Sequence, residues 1–279
     1  MPEGDTIFRA ARTLHKALAG KTVTRFESVL PGLCRVDVEA PIRGRTVESV
    51  SAAGKWNLMR LSGDLILVTH MRMRGSWHIY RTGERWRKRR THMRIVIETR
   101  DFVAVAFDVP VAEFHTGRSL ARHRHITRLG PDPLGEGFDE REAICRIRQR
   151  SASEIGSALL NQGVVAGVGN ALKSEILFAC RINPFLPVAA LSDAQIHCLV
   201  LTTRRLLKAN VRDASAAPIT SYVGFRRTTG RSDPASRLWV YGRAGKPCRS
   251  CGTPIARRKQ GPEARTTFWC PYCQPLENK

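Results

Sequence analysis

The chain changes its hydrophobic pattern twice, and each part predicts a different kind of structure. In residues 6 to 20 apolar side chains recur at helical spacing, with Asp5 as a candidate N-cap and Gly20 as a candidate stop. Residues 21 to 109 instead carry short apolar runs separated by turn-forming residues. They predict strands at 23 to 30, 34 to 40, 56 to 61, 65 to 70, 93 to 99 and 102 to 108. We therefore expect a β-sandwich or barrel-like unit behind a helix that anchors the N-terminus.

A helical pattern follows a cluster of glycine and proline at residues 129 to 135, which we interpret as a domain boundary. Helices are predicted at 139 to 150, 153 to 162, 170 to 181 and 192 to 209. The last of them opens with a Ser192-x-x-Gln195 capping box. The pattern predicts an α+β, multidomain chain: a helix plus β-sandwich domain at 1 to 128, a helical domain at 129 to 225, and a cysteine module at 226 to 279.

Composition restricts the class of protein. The 279 residues, 42% of them hydrophobic, are enough to bury a sizeable core. The chain contains no run of 18 apolar residues, and charged residues interrupt its first twenty positions. We therefore expect a soluble, intracellular protein that is cytoplasmic or nucleoid-associated.

The charge balance indicates a polyanionic partner. Lys and Arg number 46 against 24 Asp and Glu, which gives a formal net charge of +22. The basic residues cluster at 85 to 90, at 118 to 128 and again from residue 226 onwards. This pattern predicts nucleic-acid binding. A membrane surface is the weaker alternative, because no predicted helix joins a basic face to a wide apolar face.

Eight cysteines fall into two groups. Cys248-x2-Cys251 and Cys270-x2-Cys273, 18 residues apart, have the spacing of a four-thiolate zinc site, which would be structural because it leaves no open position. Disulfides are the alternative, and they fit poorly with an intracellular chain. The other cysteines are predicted to be buried, reduced thiols; they are Cys34, Cys145, Cys180 and Cys198.

The N-terminus carries candidate chemistry. Removal of Met1 would leave the secondary amine of Pro2 as the chain terminus, one residue before the carboxylate of Glu3. An α-amino group has a pKa of about 8, so part of it is unprotonated and nucleophilic at neutral pH. An ordinary disordered start is the alternative when the dipeptide is taken alone.

Three features together resemble one known family. They are Pro2-Glu3-Gly4 at the start, the glycine-containing turn that ends at Asn170, and a C-terminal four-cysteine hairpin that carries Arg265. The whole chain resembles the formamidopyrimidine-DNA glycosylase and endonuclease VIII family of base-excision repair enzymes. The resemblance implies an N-terminal β-sandwich, a helix-two-turn-helix domain and a C-terminal zinc finger. It also implies damaged DNA as the partner, one structural Zn²⁺ per chain, no small-molecule cofactor and a monomer.

The resemblance implies four catalytic residues. Pro2 resembles the nucleophile that attacks C1′ of the damaged nucleoside and forms a Schiff base, and Glu3 resembles the acid that protonates the sugar ring oxygen. Lys55 resembles a lysine that assists lesion processing and contacts phosphate, with a solvated strand-end lysine as the alternative. Arg265 resembles a phosphate contact that also promotes elimination.

DNA-binding residues are implied in the same way. Asn170 and Arg265 resemble the pair that grips the phosphates beside the lesion, and Arg128 resembles a further phosphate contact, or else a surface arginine at a hinge. Chemistry on a base within a duplex requires that the nucleotide leave the stack. Met73 resembles the side chain that fills the resulting gap, flanked by two cations that could contact the orphaned base or the backbone, Arg72 and Arg74. A core methionine is the alternative for Met73.

The sequence departs from the family pattern at two places. Thr6 stands where many members have a second glutamate. Residues 108 to 114 also lack the Arg-x-Phe wedge of members specialised for oxidised purines. We therefore expect a bifunctional glycosylase and abasic-site lyase that favours oxidised pyrimidines and acts by β,δ-elimination. A non-catalytic, zinc-containing damage-binding protein and a single-strand-selective binding protein remain the alternatives.

Overall fold

The computed structural model describes residues 2–212, 228–229 and 237–276. Among these residues the chain forms two compact units, the first made of residues 2–127 and the second of 128–212, 228–229 and 237–276. In the described part of the chain, no helix combines the length and the apolar character that a membrane span requires. Most of the polar stretch before the cysteines, and the predicted domain boundary at residue 226, lie outside the described residues.

The first unit opens with helix α1, Gly4–Leu18, whose apolar face is buried as predicted. The helix begins earlier than the sequence pattern indicates, and its N-cap is Glu3, not Asp5. The physical reason is that the backbone of Glu3 is extended while its carbonyl already accepts hydrogen bonds from the Thr6 and Ile7 amides at 2.9 and 3.0 Å. Helix α1 packs against four β-strands of this unit. The N-terminus is therefore anchored to the body of this unit.

Two four-stranded antiparallel sheets make up the rest of the core, which confirms the predicted β-sandwich. The strands are β1 (Arg25–Ser28), β2 (Val47–Ala53), β3 (Trp56–Leu61), β4 (Leu65–His70), β5 (Ser76–Arg81), β6 (Met93–Glu98), β7 (Phe102–Phe107) and β8 (Val111–His115). One sheet has the strand order β1-β6-β7-β5 and the other β2-β3-β4-β8. Side chains of α1 and of both sheets share one hydrophobic core.

The predicted strand at 34 to 40 is wrong, because this segment is helix α2, Pro31–Glu39. Pro31 occupies the first helical turn, where its fixed φ angle favours a helix and its missing N–H costs nothing. Strands β2, β5 and β8 were not predicted. Two short helices, α3 (Gly117–Leu120) and α4 (Arg124–Thr127), complete the first unit.

The second unit contains a helical part and a cysteine hairpin. Its helices are α5 (Glu140–Arg148), α6 (Ile155–Leu160), α7 (Asn170–Ala179) and α8 (Asp193–Arg212), close to the predicted positions. The capping box before α8 is confirmed by reciprocal hydrogen bonds between Ser192 and Gln195 at 2.9 and 3.2 Å. Strands β9 (Ala256–Gln260) and β10 (Arg265–Trp269) pair antiparallel and form the hairpin. Together the two units confirm the α+β fold class.

Candidate active site and nucleic-acid interface

The N-terminal dipeptide lies at the start of α1. Pro2 is half-buried, whereas the side chain of Glu3 is completely buried. Thr6 donates its amide and hydroxyl to Asp5 Oδ1 at 2.7 and 3.2 Å. The first turn of α1 is therefore fixed by its own polar groups as well as by packing, so the Pro2 amine is held by an ordered element.

Lys55 lies in the tight turn between β2 and β3. Gly54 supplies the left-handed backbone of this turn, with φ of +56°. Next to it, Trp56 pairs with His70 across the β3–β4 ladder. Burial, followed by the charges of Arg72 and Lys55, lowers the pKa of His70 to about 4. These two cations therefore lie around a histidine that is neutral at physiological pH.

The loop that follows β4 separates its two methionines sharply. Met71 is 2% exposed within the core, whereas Met73 at the tip is 56% exposed. Gly75 closes the loop with a hydrogen bond to the Met71 carbonyl at 2.8 Å, and a Cβ at this glycine would stand 2.5 Å from the same oxygen. Arg72 takes a left-handed φ of +48°, and its amide donates to His70 Nδ1 at 3.0 Å. The loop thus presents Met73 outward, with Arg72 and Arg74 exposed on either side.

In the second unit, Asn170 and the β10 strand are joined directly. Asn170 begins α7 and donates its side-chain amide to the Thr266 carbonyl at 2.8 Å, while its Oδ1 atom is buried with no hydrogen-bond partner in the described part of the chain. Arg265, the neighbour of Thr266, is bound by Glu263 Oε2 at 2.9 and 2.6 Å. The structure therefore brings Asn170 and the backbone beside Arg265 together, and it pairs Arg265 with a local carboxylate.

The turn before α7 is organised by Gln162, a residue that the sequence pattern did not indicate. Its side chain donates to the Leu160 and Val168 carbonyls, each at 2.9 Å, and accepts from the Gly167 amide at 3.0 Å. Arg128 is exposed at the start of this unit. Two residues later, Gly130 donates to the Gln162 carbonyl at 2.8 Å. Gln162 thus links the segment of Arg128 to the turn that leads to α7.

Two buried charges on α7 hold the cysteine hairpin and the segment before it, and both were missed because each looks like an ordinary helix-surface residue. Lys173 donates to Thr267 Oγ1 at 2.6 Å. Glu175 accepts the amides of Trp239, Val240 and Tyr241 at 2.8, 2.9 and 2.8 Å. The sequence of α7 offers one sign of this burial: the helix has no polar face, so its charged side chains must be buried and paired.

The four cysteines predicted as metal ligands converge at the hairpin. Their Sγ atoms all lie within 4.8 Å of one another. Measured separations are 3.5 Å for Cys251 to Cys270, 3.5 Å for Cys251 to Cys273 and 3.9 Å for Cys248 to Cys273. A tetrahedral ion with Zn–S bonds of about 2.3 Å separates its sulfurs by roughly 3.8 Å, whereas a disulfide requires about 2.05 Å. Without an ion the four thiols differ: a hydrogen bond from Thr253 lowers the pKa of Cys251 to about 6, whereas burial raises the pKa of Cys270 and of Cys273. The cluster fits a metal ion such as zinc.

The prediction that the other four cysteines are buried is wrong. Cys145 is exposed, and the remaining three are only partly buried. On α5 the buried positions are Ala143 and Ile147, so Cys145 lies on the opposite face of an amphipathic helix.

Comparison with known proteins identifies the family. The formamidopyrimidine-DNA glycosylase N-terminal domain matches residues 1–110, and the H2TH domain of the same glycosylase matches residues 129–221. Across 98% of this chain and 94% of the relative, the sequence is 40% identical to a probable endonuclease 8 2 of Streptomyces coelicolor. It is 36% identical, over 98% of this chain and 99% of the relative, to the DNA-(apurinic or apyrimidinic site) lyase Nei2 of Mycolicibacterium smegmatis. The chain belongs to the formamidopyrimidine-DNA glycosylase and endonuclease 8 family.

Solved structures of this family share the fold. A Lactococcus lactis Fpg in complex with abasic-site DNA superposes with a TM-score of 0.81 at 26% identity, covering 98% of this chain and 99% of that one. A second complex of the same Fpg contains an oxidised-pyrimidine DNA, with a TM-score of 0.81 at 25% identity and coverage of 98% and 100%. The resemblance inferred from the N-terminus, the glycine turn and the cysteine hairpin is thereby confirmed.

Proposed function

We propose that this protein is a bifunctional DNA glycosylase and abasic-site lyase of base-excision repair. Family membership supports this activity, since its relatives are named endonuclease 8 and abasic-site lyase. The observation that carries the proposal is the placement of Pro2 at the start of an anchored helix, directly beside the buried carboxyl of Glu3. A nucleophile and an acid held on one rigid element are what a covalent mechanism requires.

The proposed chemistry starts with attack of the Pro2 nitrogen on C1′ of the damaged nucleoside. The base departs, and Glu3 donates a proton to the sugar ring oxygen as the ring opens. The resulting iminium withdraws electrons and acidifies the C2′ proton, so its removal expels the 3′ phosphate by β-elimination. A second, δ-elimination releases the 5′ phosphate. Lys55 assists lesion processing and Arg265 promotes elimination.

The remaining site residues hold the DNA in this proposal. Met73 fills the gap left by the extruded nucleotide, which its exposure at the loop tip supports. Arg72 and Arg74 contact the orphaned base or the backbone. Three further side chains bind phosphates near the lesion, namely Arg128, Asn170 and Arg265. Arg265 must then exchange Glu263 for a phosphate oxygen when DNA binds. Because the proposed substrate is DNA, we also propose that the protein acts at the nucleoid.

Oxidised pyrimidines are the proposed substrates. The segment that carries the purine-specific wedge in related enzymes here leads into β8 and lacks the Arg-x-Phe sequence. Two relatives, 40% and 36% identical to this chain, are named as a probable endonuclease 8 and as an abasic-site lyase. Excision rates on duplexes with thymine glycol, dihydrouracil or 8-oxoguanine test this preference. Faster excision of 8-oxoguanine than of both pyrimidines would contradict it.

One structural zinc ion is proposed for the four-cysteine cluster. Four thiolates leave no position for water, so zinc would supply folding energy to the hairpin and no chemistry. Cys248→Ser should release the ion and weaken DNA binding while the β-sandwich stays folded. Zinc content, near-ultraviolet circular dichroism and DNA affinity measure these effects. DNA affinity equal to that of the wild type after loss of the ion would refute the role.

Borohydride trapping tests the nucleophile. The protein is incubated with a duplex that contains one abasic site, and sodium borohydride reduces any iminium to a stable covalent adduct. We expect one adduct per chain, mapped by mass spectrometry to Pro2 in protein shown by intact mass to lack Met1. Protein without Met1 that forms no adduct would exclude the mechanism.

An N-terminal extension provides the matched control, because it converts the Pro2 nitrogen into an amide and leaves every side chain in place. The extended protein should bind abasic DNA but neither cleave it nor form the adduct. Cleavage by the extended protein at the wild-type rate would exclude the Pro2 amine. Binding without cleavage by both proteins would favour a damage-binding protein.

A further inference from the structure

The first unit contains a second group of metal-ligating side chains, which the proposed repair chemistry does not use. Glu113 and His115 lie on β8, and His123 lies between α3 and α4. One ligand atom from each of the three residues lies within 4.8 Å of the other two. All three residues come from one short stretch of sequence that turns back on itself after the edge strand of the sheet.

The distances fit a single ion. Glu113 Oε2 lies 3.1 Å from His115 Nε2 and 3.8 Å from His123 Nε2. A tetrahedral ion with bonds of about 2.0–2.1 Å to imidazole nitrogen or carboxylate oxygen separates its ligand atoms by roughly 3.4 Å. The two measured distances lie on either side of this value. Small rotations of exposed Glu113 would therefore equalise them.

The imidazole of His115 is oriented by a polar partner. His115 Nδ1 lies 3.1 Å from Ser119 Oγ, which leaves Nε2 facing the carboxylate. Ser119 is itself fixed by the capping box of α3 with Thr116. A polar partner on the distal ring nitrogen is the usual arrangement for a metal-binding histidine, because it sets the tautomer and the ring orientation.

His123 gives the strongest indication that this group binds a metal. Its side chain is only 10% exposed, and its ring lies against the edges of Trp56 and His115, with centroid distances of 5.0 and 5.2 Å. Its Nδ1 atom is buried without a hydrogen-bond partner among the described residues. Its Nε2 atom is 3.8 Å from Glu113, which is beyond hydrogen-bond distance. A buried imidazole is normally hydrogen-bonded or bound to a metal, and a metal on Nε2 would give this ring one partner. Among the described residues, His123 Nδ1 lacks the polar partner that His115 Nδ1 has in Ser119.

We propose that Glu113 Oε2, His115 Nε2 and His123 Nε2 form a second metal site, separate from the four cysteines, for a divalent transition metal such as Zn²⁺, Co²⁺ or Ni²⁺. Two imidazole nitrogens favour these ions over Mg²⁺ or Ca²⁺, which prefer oxygen ligands only, and a carboxylate completes a ligand set that zinc accepts. Three protein ligands leave a coordination position for water, and Glu113, whose side chain is 53% exposed, borders solvent. The ion would tie β8 to the segment between α3 and α4.

Metal content provides the first test. Protein is equilibrated with Zn²⁺, passed through a desalting column and analysed by inductively coupled plasma mass spectrometry. We expect the wild type to retain two ions per chain. The Glu113→Gln variant and the double variant His115→Ala, His123→Ala should each retain one. Glu113→Gln keeps the size of an exposed side chain, so its folding should be unchanged. His197→Ala removes an exposed histidine on α8 and should still retain two ions.

Fluorescence locates the ion independently. The ring of Trp56 lies against that of His123 and stacks with that of His125 at a centroid distance of 6.1 Å. Ni²⁺ bound at the site should therefore quench the fluorescence of Trp56. Trp56→Phe or Glu113→Gln should remove this quenching, whereas Cys248→Ser should keep it. Retention of a single ion by the wild type, or equal quenching in Glu113→Gln, would overturn the proposal. Neither outcome depends on repair activity, so the test stands apart from the proposed function.

Discussion

At the scale of single residues, Met71 and Met73 show how two identical side chains acquire opposite roles within three positions. The left-handed Arg72 and the tight turn closed by Gly75 reverse the chain, so one methionine enters the core and the other leaves it. Neither backbone feature is visible as a hydrophobic period. The sequence motif could suggest a gap-filling methionine, but only the structure separates it from its buried neighbour.

Met73→Ala should reduce excision of a damaged base by about tenfold, or about 1.4 kcal/mol of activation free energy, because an extruded nucleotide loses the side chain that replaces it. Its exposure predicts an unchanged melting temperature. Met71→Ala is the matched control: removal of a buried methionine should lower the free energy of unfolding by about 2–5 kcal/mol. Single-turnover excision and thermal melting distinguish the two. Equal melting temperatures and equal excision rates for both variants would contradict this assignment.

Two histidines of the sandwich predict a pH-dependent stability. Burial, then Arg72 and Lys55, lowers the pKa of His70 to about 4, and burial, then Lys88 and Arg87, does the same for His78. Below about pH 6.5, the usual value, the unfolded chain binds protons that the folded chain does not. The stability that these two neutral histidines contribute to the folded state is therefore complete above pH 6.5 and decreases as the pH falls towards 4.

Melting temperatures measured from pH 7.5 to 4.5 check this expectation. The wild type should lose stability steadily below pH 6.5, and His78→Gln, which titrates no proton, should lose less over the same interval. Arg25 and Glu98 form an exposed ion pair on the same sandwich, so Glu98→Gln serves as a control for loss of a surface carboxylate. Parallel pH profiles for wild type and His78→Gln would show that this histidine does not contribute.

At the scale of elements, hydrophobic periodicity predicts those strands whose residues are buried on alternate or both faces. Strands β3 and β4 have the predicted bounds because both are central and apolar. Helix α2 was predicted as a strand because its apolar and polar residues alternate. Only Leu33 of this helix is buried, and Val38 is 84% exposed. Packing, not periodicity, decides the conformation of such a segment.

The candidate site divides in the same way. The convergence of the four cysteines can be predicted because their type and spacing are unusual, whereas the roles of Pro2 and Lys55 stay predictions from the family motif. The roles of Gln162, Lys173 and Glu175 could not be predicted. Gln162 binds backbone groups of the adjoining turn, Lys173 binds the hydroxyl of Thr267, and Glu175 binds backbone amides more than 60 positions away. No local pattern records the partner of a buried charge.

Glu175→Gln should loosen the segment at residues 239–241. The carboxylate accepts three backbone amides, and an amide side chain would replace one acceptor oxygen with a donor that faces those N–H groups. We expect a loss of about 1.5–3 kcal/mol, the range for hydrogen bonds to a charged group. Hydrogen exchange of residues 239–241 measures it directly. Asp193→Asn, at the exposed start of α8, is the control, and equal exchange in both variants would contradict the role of Glu175.

At the scale of the whole molecule, the excess of basic residues predicts how binding responds to salt. The net charge is +22, and the hairpin alone presents three exposed cations on β9. They are Arg257, Arg258 and Lys259, of which Arg258 also lies over the Phe185 ring at 3.5 Å. Each phosphate neutralised by such a cation releases counterions, so affinity falls as a power of the salt concentration.

Lys259→Ala should therefore reduce the magnitude of the negative slope of log K against log salt by about one if its ammonium group neutralises one phosphate. The reduction should be equal for damaged and undamaged duplexes. Met73→Ala should leave this slope unchanged, because methionine releases no counterion, while it lowers the preference for the damaged duplex. Fluorescence anisotropy between 50 and 200 mM salt, concentrations on the order of those used for such slopes, measures both variants. A slope unaltered by Lys259→Ala would place this cation outside the DNA interface and assign the electrostatic part of binding to other basic residues.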